Sequence, residues 1–243
     1  MNKKNLQMIF NFIAKKYNDP ISSSGFISSF TGKPFSKEEV EEFSQNVYLK
    51  LKIYLDIQNT KVLEIGCANG ITMYRIAPFV KKYIGTDIAK VNLEKNAKYN
   101  AEHNITNIEL HNLAADEIDK IKCRNINVVI LNSVVQYFDS EEYLMEVIEK
   151  AAKIMNYNGI LYIGDIRDRD KISLYKEELV NYRRLHNLPL KNNVSDTELC
   201  IKKGFFKELK KNYPYIKSFE ISDKIGKIEN ELTKYRYDCL MKI

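Results

Sequence analysis

No two cysteines in this chain are spaced to hold a metal between them. Cys67, Cys123, Cys200 and Cys239 lie far apart with no Cys-x-x-Cys pair. Neither a zinc knuckle nor a disulfide framework is expected, and no metal site. Long apolar runs are missing too. Met1 to Tyr17 carries Leu6, Ile9, Phe10 and Ile13 at helical spacing, interrupted by lysines and asparagines. That pattern makes an amphipathic helix, not a signal peptide or a membrane span. Internal repeats and domain-sized linkers are absent. Charge of one sign hardly dominates: 38 Lys and Arg face 32 Asp and Glu, a net +6 that is spread widely. Such a balance reads mainly as a solvated surface, with a mild bias toward an acidic partner such as nucleic acid or an acidic carrier protein. With 243 residues and 44% hydrophobic content the chain can bury a sizeable core. One α/β domain, cytoplasmic and without a membrane contact, is the simplest expectation.

Two phosphate-binding signatures are also lacking, although the chain holds a glycine turn of the right kind. Lys61 to Ile65 is a short apolar strand, followed by Gly66-Cys67-Ala68-Asn69-Gly70, and Asp87 ends a second strand about twenty residues on. A Gly-x-Gly-x-x-Gly fingerprint needs glycine where Ala68 and Ile71 stand, and no Gly-Lys-Ser/Thr follows. The turn therefore suits a ligand with a ribose and an adenine but no phosphates. Glu64-x-Gly66-x-x-x-Gly70 resembles the first motif of class I S-adenosylmethionine methyltransferases. In that reading the main chain from Gly66 to Asn69 approaches the methionine part, Asp87 accepts from the ribose hydroxyls, and Ile88 packs on the adenine. Asp87 reads alternatively as a helix N-cap. Ala115 and Asp116 are natural contacts to the adenine edge, or an ordinary helix start.

Along the chain, Asn18 to Pro34 reads as an irregular segment able to lie over a site. Ser36 to Glu39 is a capping box opening a helix toward Leu55. Strands at 61–66, 83–87, 108–111, 127–131 and 160–164 then alternate with helices at about 71–80, 91–103, 116–121 and from an Asp139 cap to Met155. This is the rhythm of a doubly wound parallel sheet. Helices near 171–186 and 203–212 flank a polar loop, 189–197. Strands at 215–222 and 233–243 close the chain as a hairpin-like pair at the sheet edge. The division expected is a helical cap over 1–58, a cofactor-binding core over 59–166, a lid insertion over 167–212 and C-terminal strands over 213–243.

The segment after the fourth strand, Leu131-Asn132-Ser133-Val134-Val135-Gln136-Tyr137-Phe138, lies where open parallel sheets bind ligands. It makes Asn132, Ser133 and Val134 cofactor contacts and Gln136 and Tyr137 acceptor contacts, or else a satisfied polar loop with a buried aromatic. That string, Tyr162-Ile163-Gly164-Asp165-Ile166-Arg167, Asn230-Glu231-Leu232-Thr233-Lys234-Tyr235-Arg236-Tyr237-Asp238 and Ser28-Ser29-Phe30-Thr31-Gly32-Lys33-Pro34 together resemble the methyltransferase domains of nonribosomal peptide synthetases. The resemblance implies a mostly parallel, seven-stranded Rossmann-like sheet with an antiparallel C-terminal strand. It implies S-adenosyl-L-methionine as cofactor and N-methylation of a small-molecule or carrier-protein-tethered amine. The acceptor site then lies between the cofactor and Gln136, Tyr137, Asp165, Arg167 and Glu231, with Tyr137 and Glu231 orienting the amine and taking its proton. Asp165 and Arg167 form, on another reading, a structural ion pair. Phe30 replaces the tyrosine of the family's Ser-Ser-Tyr-Thr-Gly segment, which bears on substrate identity. Adenylation, condensation and carrier domains are lacking, so a stand-alone enzyme is expected. Small-molecule O- or S-methylation and a noncatalytic cofactor-binding assembly protein are the alternatives. Nucleic acid is not the expected substrate, because the basic residues are dispersed and no Asn/Asp-Pro-Pro-aromatic motif follows the fourth strand.

Overall fold

The computed structural model describes residues 3–17, 19–189 and 198–243. The sheet has seven strands: β1 (Lys61–Ile65), β2 (Lys82–Thr86), β3 (Ile108–His111), β4 (Ile126–Asn132), β5 (Met155–Arg167), β6 (Ser218–Ser222) and β7 (Arg236–Lys242). Their order is β3-β2-β1-β4-β5-β7-β6. The first five are parallel, and β7 runs antiparallel between β5 and β6. The expected hairpin-like pair at the edge is present.

Alternation along each strand assigns the two faces. Leu63, Ile65, Ile84, Val129, Leu131, Leu161 and Ile163 join one core cluster. Val62, Tyr83, Val128, Ile130, Ile160 and Tyr162 join the other. Strands buried on both faces read as continuous apolar runs, as these do. Helix α6 (Glu141–Ile154) covers the first face with Leu144, Val147, Ile148 and Ala151, a helical stripe. Helices α3 (Lys37–Leu51) and α4 (Ile71–Ile76) cover the second with Val47, Leu51, Met73 and Ile76. The remaining helices are α1 (Lys3–Lys16), α2 (Pro20–Ser23), α5 (Lys90–Glu102), α7 (Ile172–Leu185), α8 (Gly204–Asn212) and α9 (Glu231–Lys234). None among the described residues is long and apolar enough to cross a membrane.

Ser36 and Glu39 form the expected capping box on α3. Several local expectations change: β6 begins at Ser218 and not at 215, β5 begins at Met155 and not at 160, and α3 ends at Leu51, short of Leu55. Ser140, not Asp139, caps α6, because its hydroxyl accepts from Tyr143 N. The helix from Ile71 stops at Ile76, and a 3-10 turn over Ala77–Phe79 continues it; Pro78 in that turn has no N–H to donate. Residues 231–234 form α9, capped by Asn230, so the last strand begins at Arg236 and not at Thr233. Strand β5 runs beyond Gly164 through a register break between Ile163 and Ile166, where Asp165 adopts φ 62°. Two residues there face Asp238 alone, a bulge that turns Asp165 N onto Asp238 Oδ1 at 2.8 Å. The expected polar loop at 189–197 lies, but for Pro189, outside the described residues.

Candidate active site

The strand order reverses between β1 and β4, the point where open α/β sheets leave a crevice past their carboxyl ends. A cavity of about 300 Å³ lies there, at the small end of the roughly 300–1,000 Å³ of ligand sites. Its floor is the turn after β1. Gly66 has φ 79°, and a Cβ on it would lie 2.5 Å from Val134 Cγ2, so only glycine lets the two loops meet. The amides of Gly66 and Cys67 donate to Thr86 O at 2.8 and 2.9 Å, and Ala68 N donates to Asp87 Oδ2 at 2.8 Å. Those amide hydrogens are spent inside the protein, so the turn is not a phosphate nest.

Asp87 is buried at the end of β2. Its Oδ1 accepts from Ala89 N at 2.7 Å. Helix α5 is capped by Ala89, so the N-cap alternative for Asp87 does not apply. Burial pushes its carboxyl up to about 6, against the pull of the Ala89 and Ala68 amides and of the Asn92 side chain. Each oxygen takes one main-chain amide and the Asn92 side chain stands beside them, so of the about four acceptor positions of a carboxylate at most two remain for ribose hydroxyls. Glu64 is buried beneath, accepts from Tyr83 OH at 2.8 Å, and is pushed up to about 8 by burial. Ile88, Leu113, Ala114 and Ala115 line the same end. This donor set fits a nucleoside: an acid for the ribose and small apolar residues for a flat base.

Across the cavity stand Asn132, Ser133, Val134, Gln136, Tyr137, Arg167, Glu198, Glu231 and Arg236. Gln136 Nε2 donates to Ser133 O and Oγ at 2.9 and 3.0 Å. Gln136 Oε1, Asn132 Oδ1 and Arg236 Nε are buried without a partner among the described residues, leaving polar groups for a ligand. Burial, and then the charge of Glu198, raise the Tyr137 phenol, so it stays protonated. Glu231 is held by neutral donors, Ser28 Oγ at 3.1 Å and the amide of Ser29 at 3.1 and 3.0 Å.

Asp165 and Arg167 do not pair with each other. Asp165 is bound by Arg236, and by Lys224 at 3.3 Å, while Arg167 Nε lies 2.5 Å from Glu198 Oε2. The second contact is an electrostatic one without hydrogen-bond alignment. The bulge explains the exchange, since Asp165 leaves the strand toward β7 and Arg167 does not. Burial alone would raise the Asp165 carboxyl, but Arg236 and Lys224 hold it below its ordinary range.

The expected residues thus divide. Glu64, Gly66, Cys67, Ala68, Asp87, Ile88, Ala115, Asn132, Ser133, Val134, Gln136, Tyr137, Arg167 and Glu231 line one cavity. Asn69, Gly70, Asp116, Phe30 and Asp165 do not. The Asn69 side chain donates to Ser23 Oγ at 2.7 Å, and Gly70 caps α4 with φ 83°. Asp116 takes Lys3 at 3.2 Å and Tyr143 OH at 3.0 Å. Phe30 stacks on Tyr235 at 6.2 Å beside Tyr175 and Tyr182. Leu6 and Phe10 of α1, with Phe26 and Ile27, also line the cavity. The apolar face of α1 is readable, but not where it docks. Arg236 lies inside the 230–238 string, where nothing local distinguishes it from its neighbours. Glu198 carries no signal. Among the described residues no cluster of three His, Cys, Asp or Glu is placed to hold a metal.

The sequence family described as "Methyltransferase domain" matches residues 56–233. The chain belongs to that family: it is a class I methyltransferase, the enzymes whose methyl donor is S-adenosylmethionine. Among curated relatives, chondramide synthase cmdD of Chondromyces crocatus is 29% identical over 90% of this chain and 6% of its own length. The probable non-canonical nonribosomal peptide synthetase CymA of Salinispora arenicola is 27% identical over 89% of this chain and 3% of its own. The chain therefore spans a small fraction of these relatives. The N-methyltransferase NodS of Bradyrhizobium japonicum, solved with S-adenosyl-l-homocysteine, shares the fold at TM-score 0.64, with 14% identity and 98% of each chain covered. Magnesium protoporphyrin IX methyltransferase of Synechocystis PCC 6803 shares it at 0.63, with 13% identity and 99% of each.

Proposed function

We propose that this methyltransferase N-methylates an amino-acid-derived amine, free or tethered to a carrier protein, in the making of nonribosomal peptides or related natural products. The observation that carries the reading is Glu231, a buried carboxylate on the cavity wall whose contacts are a hydroxyl and main-chain amides. Among the described residues no cation lies within salt-bridge distance of it, although Arg236 is near enough to feel its charge, and methyl transfer leaves positive charge on the acceptor nitrogen. A fixed carboxylate facing that charge lowers the barrier, because it needs no reorientation as the charge appears. The peptide-synthetase relatives, matched along nine-tenths of the chain, support the same substrate class.

S-adenosylmethionine, when bound, supplies an electrophilic methyl on a sulfonium. Asp87 and the small residues at 114–115 would hold its nucleoside, and Asn132 to Val134 would flank its sulfur. Tyr137 remains a neutral phenol, so its role is to orient the amine through its hydroxyl and not to act as a phenolate base. Leu6 and Phe10 of α1 and residues 24–27 close one side of the cavity, and Arg167 and Glu198 stand at the acceptor end. Purified protein given S-adenosylmethionine and aminoacyl thioesters, with the product's methyl located by mass spectrometry, tests the reading. N-methyl product is expected. Methyl on oxygen or sulfur would move the acceptor class, and no calorimetric binding of S-adenosylhomocysteine would remove the reading altogether.

A further inference from the structure

Arg183, on α7, is 6% exposed and meets carbonyl oxygens. Its Nε and Nη2 donate to Ser29 O at 3.0 and 2.6 Å, and its Nη1 donates to Pro189 O. The other side of the same short stretch belongs to Glu231. Ser29 N donates to both of its oxygens, and Phe30 N is shared between Glu231 Oε2 at 3.4 Å and Ser28 Oγ at 3.2 Å, a hydroxyl that itself donates to Glu231. Ser29 is therefore gripped by a cation at its carbonyl and an anion at its amide. The carbonyl of Ser29 and the N–H of Phe30 form one peptide unit. A guanidinium on the carbonyl polarises that unit and strengthens its N–H as a donor, as linked hydrogen bonds do in a poorly solvated site. The Phe30 ring, wedged among Tyr175, Tyr182 and Tyr235, fixes the far end of the stretch.

We propose that Arg183 is a positioning residue for methyl transfer: through the Ser29–Phe30 peptide it balances the Glu231 charge and fixes where that carboxylate stands in the cavity. It touches neither ligand. A buried guanidinium on main-chain carbonyls and a buried carboxylate on main-chain amides meet at one short loop, each with its hydrogen-bonding groups satisfied there. The inference rests on the reading that Glu231 faces the methyl acceptor.

The test uses the whole chain with Arg183→Met and Arg183→Lys, the second serving where the first fails to fold. Amide hydrogen exchange at Ser29 and Phe30 is read by NMR, together with acceptor kcat and KM and S-adenosylhomocysteine affinity. In Arg183→Met, exchange at these two amides should rise at least about tenfold while core strands keep their protection. Acceptor kcat/KM should fall about tenfold or more with cofactor affinity within about twofold. Arg183→Met added to Glu231→Gln should cost little beyond Glu231→Gln alone, because the two act through one contact. Arg183→Lys should recover part of both losses. Unchanged exchange at Ser29 and Phe30, or additive losses in the double variant, would overturn the proposal. If the wild-type protein methylated no amine, the exchange measurement would still decide the Arg183 linkage, and the failure would belong to the substrate reading.

Discussion

The two ends of the cavity are built by different means. The nucleoside end comes from the carboxyl ends of two neighbouring strands, residues 64–68 and 87–88, and is held by main-chain bonds and one carboxylate. The acceptor end draws side chains from 136–137, 167, 198, 231 and 236, held from behind by ion pairs and by the Ser28–Ser29 cap on Glu231. One end depends on backbone geometry, for which no side chain can substitute. The other depends on charge balance, which is costly to bury yet leaves each side chain separately replaceable. Acceptor chemistry can thus change without disturbing the nucleoside end.

Substitution at each end separates the two. The largest effect is expected from Arg236→Met, which leaves Asp165 as a buried carboxylate with Lys224 alone. Removing one partner of a buried pair costs about 3–5 kcal/mol, so denaturant unfolding should show a loss of that order. Adding Asp165→Asn should recover part of it; no recovery would break the charge-balance account. Next comes Gly66→Ala. A side chain at φ 79° carries about 1–3 kcal/mol of strain, and Val134 must also move. Cofactor affinity by calorimetry should fall about tenfold to a hundredfold. Unchanged affinity would show that the turn does not shape the cofactor end. Glu231→Gln sharpens the contrast from the acceptor side. Turnover should drop about tenfold or more, as for loss of one charge-stabilising contact, while cofactor affinity stays within about twofold. A large affinity loss would merge the two ends into one.

The same contrast explains what the sequence discloses. The nucleoside end is local, so an apolar run, a glycine turn and a later acid reveal it from residues 61 to 87. The sheet is equally open to reading, because strands buried on both faces keep their apolar runs and α6 keeps its stripe. The acceptor end depends on long-range geometry. Asp165 and Arg167 sit two apart in the sequence, and nothing there reveals that a bulge sends one to Arg236 and the other to Glu198. Phe30 lies in a motif string, yet its ring goes to three tyrosines and not to the cavity. Asp116 is drawn outward by Lys3 and Tyr143, from elements far away in the chain. Leu6 and Phe10 belong to a helix whose docking site is written in no local pattern.

The smallest effect is a titration, and it isolates the nucleoside end from the rest. Burial pushes the Asp87 carboxyl up to about 6 from an ordinary 3.8. The folded protein therefore holds that proton more tightly than the unfolded chain. The favourable contribution is full below the ordinary value and is lost as pH rises through about 6, so this group stabilises the ligand-free fold on acidification. Cofactor binding has the opposite sign, because accepting from two ribose hydroxyls calls for the ionised form. Between pH 7 and pH 5, S-adenosylhomocysteine affinity should fall by up to about tenfold per pH unit once below 6, while the Asp87 share of stability rises. Asp87→Asn removes this titration. The difference between wild type and variant, in calorimetry and in denaturant unfolding at each pH, isolates the Asp87 contribution from that of the paired carboxylates at the acceptor end. Wild-type affinity that stays level across this range would mean that Asp87 supports the turn through Ala68 and Ala89 alone and takes no part in holding the ribose.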